Sequence, residues 1–508
     1  MIESRRFIEE VDIMIFDIRY YTDIGTSIMN NKVRTRIAPS PTGYPHIGTV
    51  FQALIDYVYA KKHDGAFVVR IEDTDRNRYV EDAEEAIFAA FDWFGLTPDE
   101  SPRHDGAFGP YRQSERLELY KKYADQLIDQ GDAYYCFCSP ERLDQARKEM
   151  QKQDIPPMYD KCCRNLEVAE AKKRSDSEKH VVRMKVPENQ TICFEDEMRG
   201  EIKIESRIVD DQVILKSDGF PTYHLAVVVD DHLMEISHIV RGEEWISSAP
   251  KHKLLYDYLG WEMPVLVHTP LLRNPDKSKL GKRHGHASVS WYIDHGYLKE
   301  AVINFMLTRV WNHPEDMEVF GIEEAIKHFD FKDMHIQGPI VDLDKLNWLN
   351  GQWIRTKLTK EELLERIMTY VPKTYSKEKV GELLPLIYER LVTLDEVEDL
   401  LSYFFTAPEV ENKIILKQSK MSNSETSEYL TKVVDVLEAI DDWNIEELES
   451  RLRELQQIEE IKPRAAFMSI RVAITGRSAT PPLFDVMKVL GKEEVVGRIS
   501  QVKENLLN

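Results

Sequence analysis

The stretch RIAPSPTGYPHIGT, residues 36–49, sets three prolines and two glycines between two kinds of apolar pattern. Ahead of it, Val33 to Ala38 alternates as a strand does. Behind it, Val50, Phe51, Leu54, Tyr57 and Val58 recur at helical spacing. A tight loop therefore joins a strand to a helix N-terminus. Such an end carries unpaired N–H groups and roughly half a positive charge, which suits it to phosphate. Gly43 and Gly48 let a ligand approach the backbone. Taken alone, the loop reads equally well as a structural turn.

Three further segments narrow the choice. AFVVRIEDTD, residues 66–75, is a strand pattern ending in an acidic cluster, at the place where the carboxyl ends of parallel strands open onto a crevice. Glu72, Asp73 and Asp75 are candidates for ligand amines or hydroxyls, with Asp75 also placed to cap a helix through Ala83, Ile87 and Ala90. PTYHLAVVVDDH (221–232) and HIVRGEEW (238–245) are apolar runs that finish in polar clusters. VLVHTPLLRNPDKSKLGKRHG (265–285) passes from a buried-strand pattern into a loop holding Lys277, Lys279, Lys282 and Arg283. Ammonium groups on long stems can swing toward phosphate charge, although a basic loop also serves as solvated surface or RNA contact.

The chain has 508 residues, too many for one ordinary domain. With 42% hydrophobic and 31% charged residues, and no apolar run near the roughly 18 residues of a membrane span, it reads as globular, without a membrane partner and cytoplasmic. Five cysteines are too few for a disulfide scaffold, and their clustering points toward metal or toward free thiols. A net charge of −22 excludes a surface coated for nucleic acid, so any RNA must meet a local basic patch. Residues 1–32 form an N-terminal extension lacking a signal peptide's uninterrupted apolar region, and function is not expected to depend on them. Met29 is a candidate alternative start.

Taken together and in order, these segments resemble the glutamyl-tRNA synthetases of class I, bacterial type. PHIGT (45–49) resembles the family's HIGH signature and KLGKR (279–283) its KMSKS signature. RIAPSPTG, RIEDTD, GPYRQSER, SDGFPTYHLAVVVDDH and HIVRGEEW each resemble family segments, and the likeness runs from Val33 to the C-terminus. It implies an α/β fold: a Rossmann-type catalytic domain (33–112 and 225–276), an inserted acceptor-stem-binding domain (113–224), a stem-contact domain with the KMSKS-like loop (277–357), and a mostly α-helical anticodon-binding region (358–508). It further implies ATP with Mg2+, L-glutamate and tRNA(Glu) as ligands, and a monomer.

Residue by residue, the resemblance gives His46, Lys279 and Lys282 catalytic and ATP-binding roles, with Gly48 also at the nucleotide. Glutamate carries two carboxylates and one ammonium, so its pocket needs two cationic forks and an acidic acceptor. The matching residues are Arg36, Arg241, Tyr223, Ser40 and Glu72, although an ordinary surface ion pair is the plainer account of either arginine. Arg241 would select acid over amide, because a guanidinium facing glutamine's NH₂ sets donor against donor. Two positions depart from the pattern: Gly281 stands where KMSKS has serine, and Val227 where some members carry asparagine.

In the insertion, Cys136, Cys138 and Cys163 are spaced as ligands of one structural zinc, with Tyr159 as fourth ligand because Asn165 occupies the family's histidine position. Arg390, in LIYERL, aligns with the arginine that reads an anticodon base. Two other readings are open. A small-molecule nucleotidyltransferase would need neither the insertion nor the helical tail, and an inactive RNA-binding relative would have lost His46 and the lysines.

Overall fold

The computed structural model describes residues 32–154, 156–281 and 285–507. The extension up to residue 31, and Lys282 with Arg283, lie outside the described residues. The chain divides into two compact units, one running through Trp291 and taking in Val302–Leu343, the other comprising Tyr292–Ala301 and the chain from Asp344 onward.

In the first unit, β1 (Arg34–Ile37) pairs in parallel with β2 (Ala66–Val69), Arg36 opposite Val68. The loop after β1 leads into a helix at Ile47–Lys62, as the apolar periods predict. Three antiparallel strands, β3 (Ala133–Cys136), β4 (Val181–Met184) and β7 (Val213–Leu215), form a separate small sheet. Between them in sequence, β5 (Thr191–Asp196) and β6 (Gly200–Glu205) form an antiparallel pair. That pair continues the parallel sheet of β8 (His238–Gly242) and β9 (Val265–Thr269) through Asp196 opposite Leu266. Ser237 joins the two parallel pairs: its N–H donates to Arg34 O at 3.0 Å, its Oγ accepts from Arg34 N at 2.8 Å, and its carbonyl accepts from Val265 N at 2.9 Å.

Three local expectations differ from what is found. The run 221–232, grouped with the strand-like runs, is a helix, Tyr223–Leu233, with Leu225 through Asp231 all buried. A helix buried on every side has no polar face, so its period is invisible in sequence. All four residues of β1 are buried too, so its alternation separates two interior faces and Arg34 and Arg36 lie inside. Asp75 does not cap the next helix, Ala83–Phe94, whose N-cap is Asp82. It instead receives Arg78 Nε at 2.7 Å.

The second unit is helical, with no strand among the described residues after β9. Its C-terminal core packs Leu430, Val433, Leu437, Leu448, Leu452, Ile470, Val486 and Ile499 from successive amphipathic helices. Local chemistry sets their ends. Ser422 and Glu425 form a reciprocal capping box, and Gly476 closes Pro463–Thr475 with φ +70°. Among the described residues no helix is long and apolar enough to cross a membrane.

Candidate active site

The loop, the ends of β1, β2, β8 and β9, and the start of the Tyr223–Leu233 helix surround one cavity of about 900 Å³. Its walls include Arg36, Ser40, His46, Gly48, Glu72, Tyr223, Arg241 and Lys279, so all eight described residues predicted for nucleotide and glutamate line one space. Lys282 is outside the described residues. Arg390 belongs to the second unit.

The loop takes its shape from Gly43 at φ 144°, a backbone region that disfavours side chains. His46 then caps the helix: its Nδ1 accepts from Gly48 N–H at 3.0 Å, and its carbonyl accepts from Thr49 N at 2.8 Å. This revises the reading of the loop. The Gly48 N–H already has a partner, so what glycine provides here is room, since a Cβ would sit 3.0 Å from His46 Nδ1. Because Nδ1 accepts, neutral His46 carries its proton on Nε2. Lys279 Nζ lies 3.1 Å from Glu244 Oε1 on a largely exposed side chain, a partner it can leave.

The two arginines are neither of them surface ion pairs, being 3% and 6% exposed, and their settings differ. Arg36 donates from Nε and Nη2 to both oxygens of Asp231, at 3.0 and 3.2 Å, and from Nη1 to Val240 O. Asp231 also receives Arg70 Nη1 at 2.7 Å, and Arg70 Nη2 reaches Glu72 at 3.2 Å. Next to it, Asp230 gathers Arg116, Gln113 and Tyr120. The polar end of the buried helix thus neutralises the basic residues under the cavity.

Among the described residues, Arg241 instead hydrogen-bonds only to neutral groups. Its Nε donates to His268 Nε2 at 3.0 Å, and its Nη1 to Tyr223 Oη at 3.2 Å and to His252 Nδ1 at 3.0 Å. Its Nη2 is buried without a hydrogen-bond partner. A guanidinium only donates, so His252 accepts at Nδ1 and its Nε2–H donates a hydrogen bond to His224 Nδ1 at 3.1 Å. Burial holds His252 well below its ordinary pKa and lowers His224 to about 3, so both rings stay neutral.

Glu72 is buried at the cavity wall, and burial raises its carboxyl from 4.5 to about 7 despite Arg70 and Arg36. Ser40 is exposed at the rim. Asp73 does not line the cavity; it accepts from Ser114 N at 2.8 Å. Val227, where some relatives place asparagine, is packed in the core and does not line the cavity either. Sequence reading passed over Asp231, Asp196, His252 and His268. For Asp231 and His268 the signal was present in VVVDDH and VLVHT, acidic and imidazole groups set inside apolar runs; Asp196 and His252 sit in mixed stretches that carry no such signal.

Away from the cavity, Cys136, Cys138 and Cys163 place their sulfurs within 4.8 Å of one another. Tyr159 Oη lies 3.3 Å from Cys136 Sγ and 3.4 Å from Cys138 Sγ. Hydrogen bonds from Cys163 and Tyr159 draw the Cys136 thiol down toward thiolate, while burial pushes Cys138 up. The Arg183 guanidinium lies 3.8 Å above the Tyr159 ring, while burial and the hydrogen bonds to Cys136 and Cys138 push the phenol well above its ordinary pKa, so it must give up its proton to bind a metal. The donor set fits a tetrahedral zinc. A second cluster, His313, Glu324 and His328, does not suit a cation: His313 Nδ1 accepts from Glu315 N, so the neutral ring turns an N–H rather than a lone pair toward Glu324.

In the second unit, burial and then the nearby, exposed Arg390 lower the pKa of Arg471, and with Arg477 both arginines lie near Tyr403. This is a local basic patch on an acidic protein.

Two family models cover most of the chain: tRNA synthetases class I (E and Q), catalytic domain, over residues 32–348, and an anticodon binding domain over 362–503. The glutamate–tRNA ligase of Acidothermus cellulolyticus is 46% identical over 480 residues, spanning 92% of this chain and 94% of that protein. That of Marinomonas sp. is 44% identical over 464 residues, spanning 91% and 94%. The crystal structure of a glutamate tRNA ligase from Elizabethkingia meningosepticum in complex with its amino acid superposes with a TM-score of 0.84 at 34% identity, covering 94% of this chain and all of that one. A cavity joining the HIGH-like and KMSKS-like segments, two family models in series and relatives matched over nearly their whole length lead to one statement: the chain belongs to the glutamate–tRNA ligases, class I aminoacyl-tRNA synthetases.

Proposed function

We infer that the enzyme attaches L-glutamate to tRNA(Glu) in two ATP-dependent steps within this cavity. Glutamate's α-carboxylate attacks the α-phosphorus of ATP, pyrophosphate leaves, and the glutamyl group then passes from the adenylate to the terminal adenosine of the tRNA, releasing AMP. Neither step requires a covalent enzyme intermediate, so catalysis rests on positioning and on stabilising charge.

The observation that carries this reading is Arg241, a buried guanidinium with two unused N–H donors and no paired carboxylate among the described residues. A ligand carboxylate satisfies both, whereas an amide NH₂ leaves donor facing donor. Arg36 has two of its five donors left for the substrate, Glu72 and Ser40 take the ammonium, and Tyr223 lends its hydroxyl. His46 and Gly48 receive the nucleotide at the capped helix end. Lys279, with Lys282, leaves its resting place to meet the charge that builds on the transferred phosphates. Magnesium, when bound with ATP, screens the phosphate oxygens.

Cys136, Cys138, Tyr159 and Cys163 hold a structural zinc that braces the inserted domain, and Arg390 with Arg471 and Arg477 meets the anticodon. The enzyme works as a monomer in the cytoplasm, where tRNA is charged. The test is glutamate-dependent pyrophosphate exchange, measured with and without tRNA(Glu), followed by charging of tRNA(Glu) and tRNA(Gln) side by side. Exchange with glutamate and charging of tRNA(Glu) support the reading. Their absence, with tRNA still bound, would make the protein an RNA-binding relative.

A further inference from the structure

Arg241 raises a physical problem: a buried cation held in place without a counter-carboxylate. Its orientation comes from His268, whose Nε2 accepts the Arg241 Nε–H at 3.0 Å. For Nε2 to accept, the His268 proton must sit on Nδ1, and Nδ1 lies 2.7 Å from Asp196 Oδ2, the carboxylate that receives it. Asp196 is itself anchored, since Oδ2 also accepts from His268 N at 3.0 Å and Oδ1 from Met198 N at 3.1 Å. Asp196 and His268 are 2% and 0% exposed; Asp196 ends β5 opposite Leu266, and His268 lies two residues further along the adjacent strand β9.

We infer that Asp196 and His268 form a positioning relay that aims Arg241 at the carboxylate of its substrate while keeping the guanidinium unneutralised. The inference rests on the assignment of Arg241 to glutamate given above. The placement of the negative charge is its substance. Asp196 in direct contact would pair with Arg241 and compete with the ligand, as Asp231 pairs with Arg36. Set one imidazole away, it fixes the tautomer of His268 and the direction of the Nε–H bond, and leaves Nη2 open. Burial lowers the His268 pKa and outweighs the opposing pull of Asp196, which keeps the ring a neutral acceptor.

The relay is tested in the full-length enzyme by glutamate-dependent pyrophosphate exchange with tRNA(Glu) present, varying glutamate and ATP separately. In Asp196→Asn, an amide nitrogen turned toward His268 moves the ring proton to Nε2, against the Arg241 N–H. Turned the other way, it meets the Met198 N–H and the charge is lost. Both Asp196→Asn and His268→Leu are expected to raise the KM for glutamate about tenfold or more with the KM for ATP unchanged. His268→Gln, which restores an acceptor near the Nε2 position, is expected to recover most of that loss. Thermal unfolding reports which variants are folded. Folded Asp196→Asn and His268→Leu proteins with the parent KM for glutamate would overturn the relay, as would equal losses toward glutamate and ATP that His268→Gln does not relieve. Arg241→Ala separates the two levels: if it leaves the KM for glutamate unchanged, the assignment of Arg241 fails, whereas if it alone raises that KM, only the relay fails.

Discussion

Glu72 makes activity and stability respond to pH in opposite directions. Its carboxyl is buried beside Arg70 and Arg36, and burial outweighs both cations to raise its pKa from 4.5 to about 7. In the proposed pocket only the ionised form pairs with the ammonium of glutamate. About nine-tenths of it is ionised at about pH 8 and about one-tenth at about pH 6, so kcat/KM for glutamate should fall about tenfold across that interval. The substrate's own charges do not change there. For stability the sign reverses. The folded state keeps a proton that the unfolded chain releases above its pKa of 4.5, so stability is greatest at low pH and is lost as pH rises from there toward 7. Moving the pKa from 4.5 to about 7 corresponds to about 3 kcal/mol at most. Glu72→Gln should abolish both dependences: its kcat/KM for glutamate becomes low and flat, and its stability at about pH 8 rises relative to the parent. The assays are pyrophosphate exchange and denaturant unfolding across the same buffers. A parent kcat/KM for glutamate flat between about pH 6 and 8, or a Glu72→Gln enzyme that keeps the parent's profile, would refute the reasoning.

Three other outcomes are expected. Lys279→Ala should lower kcat about a hundredfold with little change in the KM for glutamate, because its ammonium acts on charge that develops only during transfer; rapid-quench measurement of adenylate formation checks this. Metal analysis should find one zinc per chain, and Cys138→Ser should lose it together with thermal stability while leaving the KM for glutamate near the parent value. Asp56 lies fully buried in the Ile47–Lys62 helix with neither oxygen hydrogen-bonded, and burial raises its pKa well above the ordinary range. Its raised pKa makes the protein lose stability as pH rises above the ordinary carboxylate range, so Asp56→Asn should stabilise it at neutral pH, by about 1–3 kcal/mol in urea unfolding, and flatten the acid side of the curve.

Much of the architecture is legible in sequence, the amphipathic helices by apolar period and the buried strands as short apolar runs. The Ile47–Lys62 helix and the C-terminal helices follow from apolar spacing, β2, β8 and β9 from continuous apolar runs of strand length, and the residues of the cavity from the family resemblance. Periodicity fails where both faces are buried, as at Tyr223–Leu233, because an element with no wet side carries no alternation.

Sequence by itself determined which side chains are present for the binding proposed above, of a doubly acidic, singly basic substrate beside a nucleotide: His46, Lys279, Arg36, Arg241 and Glu72. Only the tertiary structure decided what charge each of them shows. Arg36 and Asp231 are 195 positions apart, Asp196 and His268 are 72, and nothing local pairs them. Once folding removes water, a neighbouring carboxylate neutralises one arginine, and an imidazole standing between carboxylate and guanidinium leaves the other open. In a low-dielectric interior, those few ångströms separate an internal ion pair from a binding site.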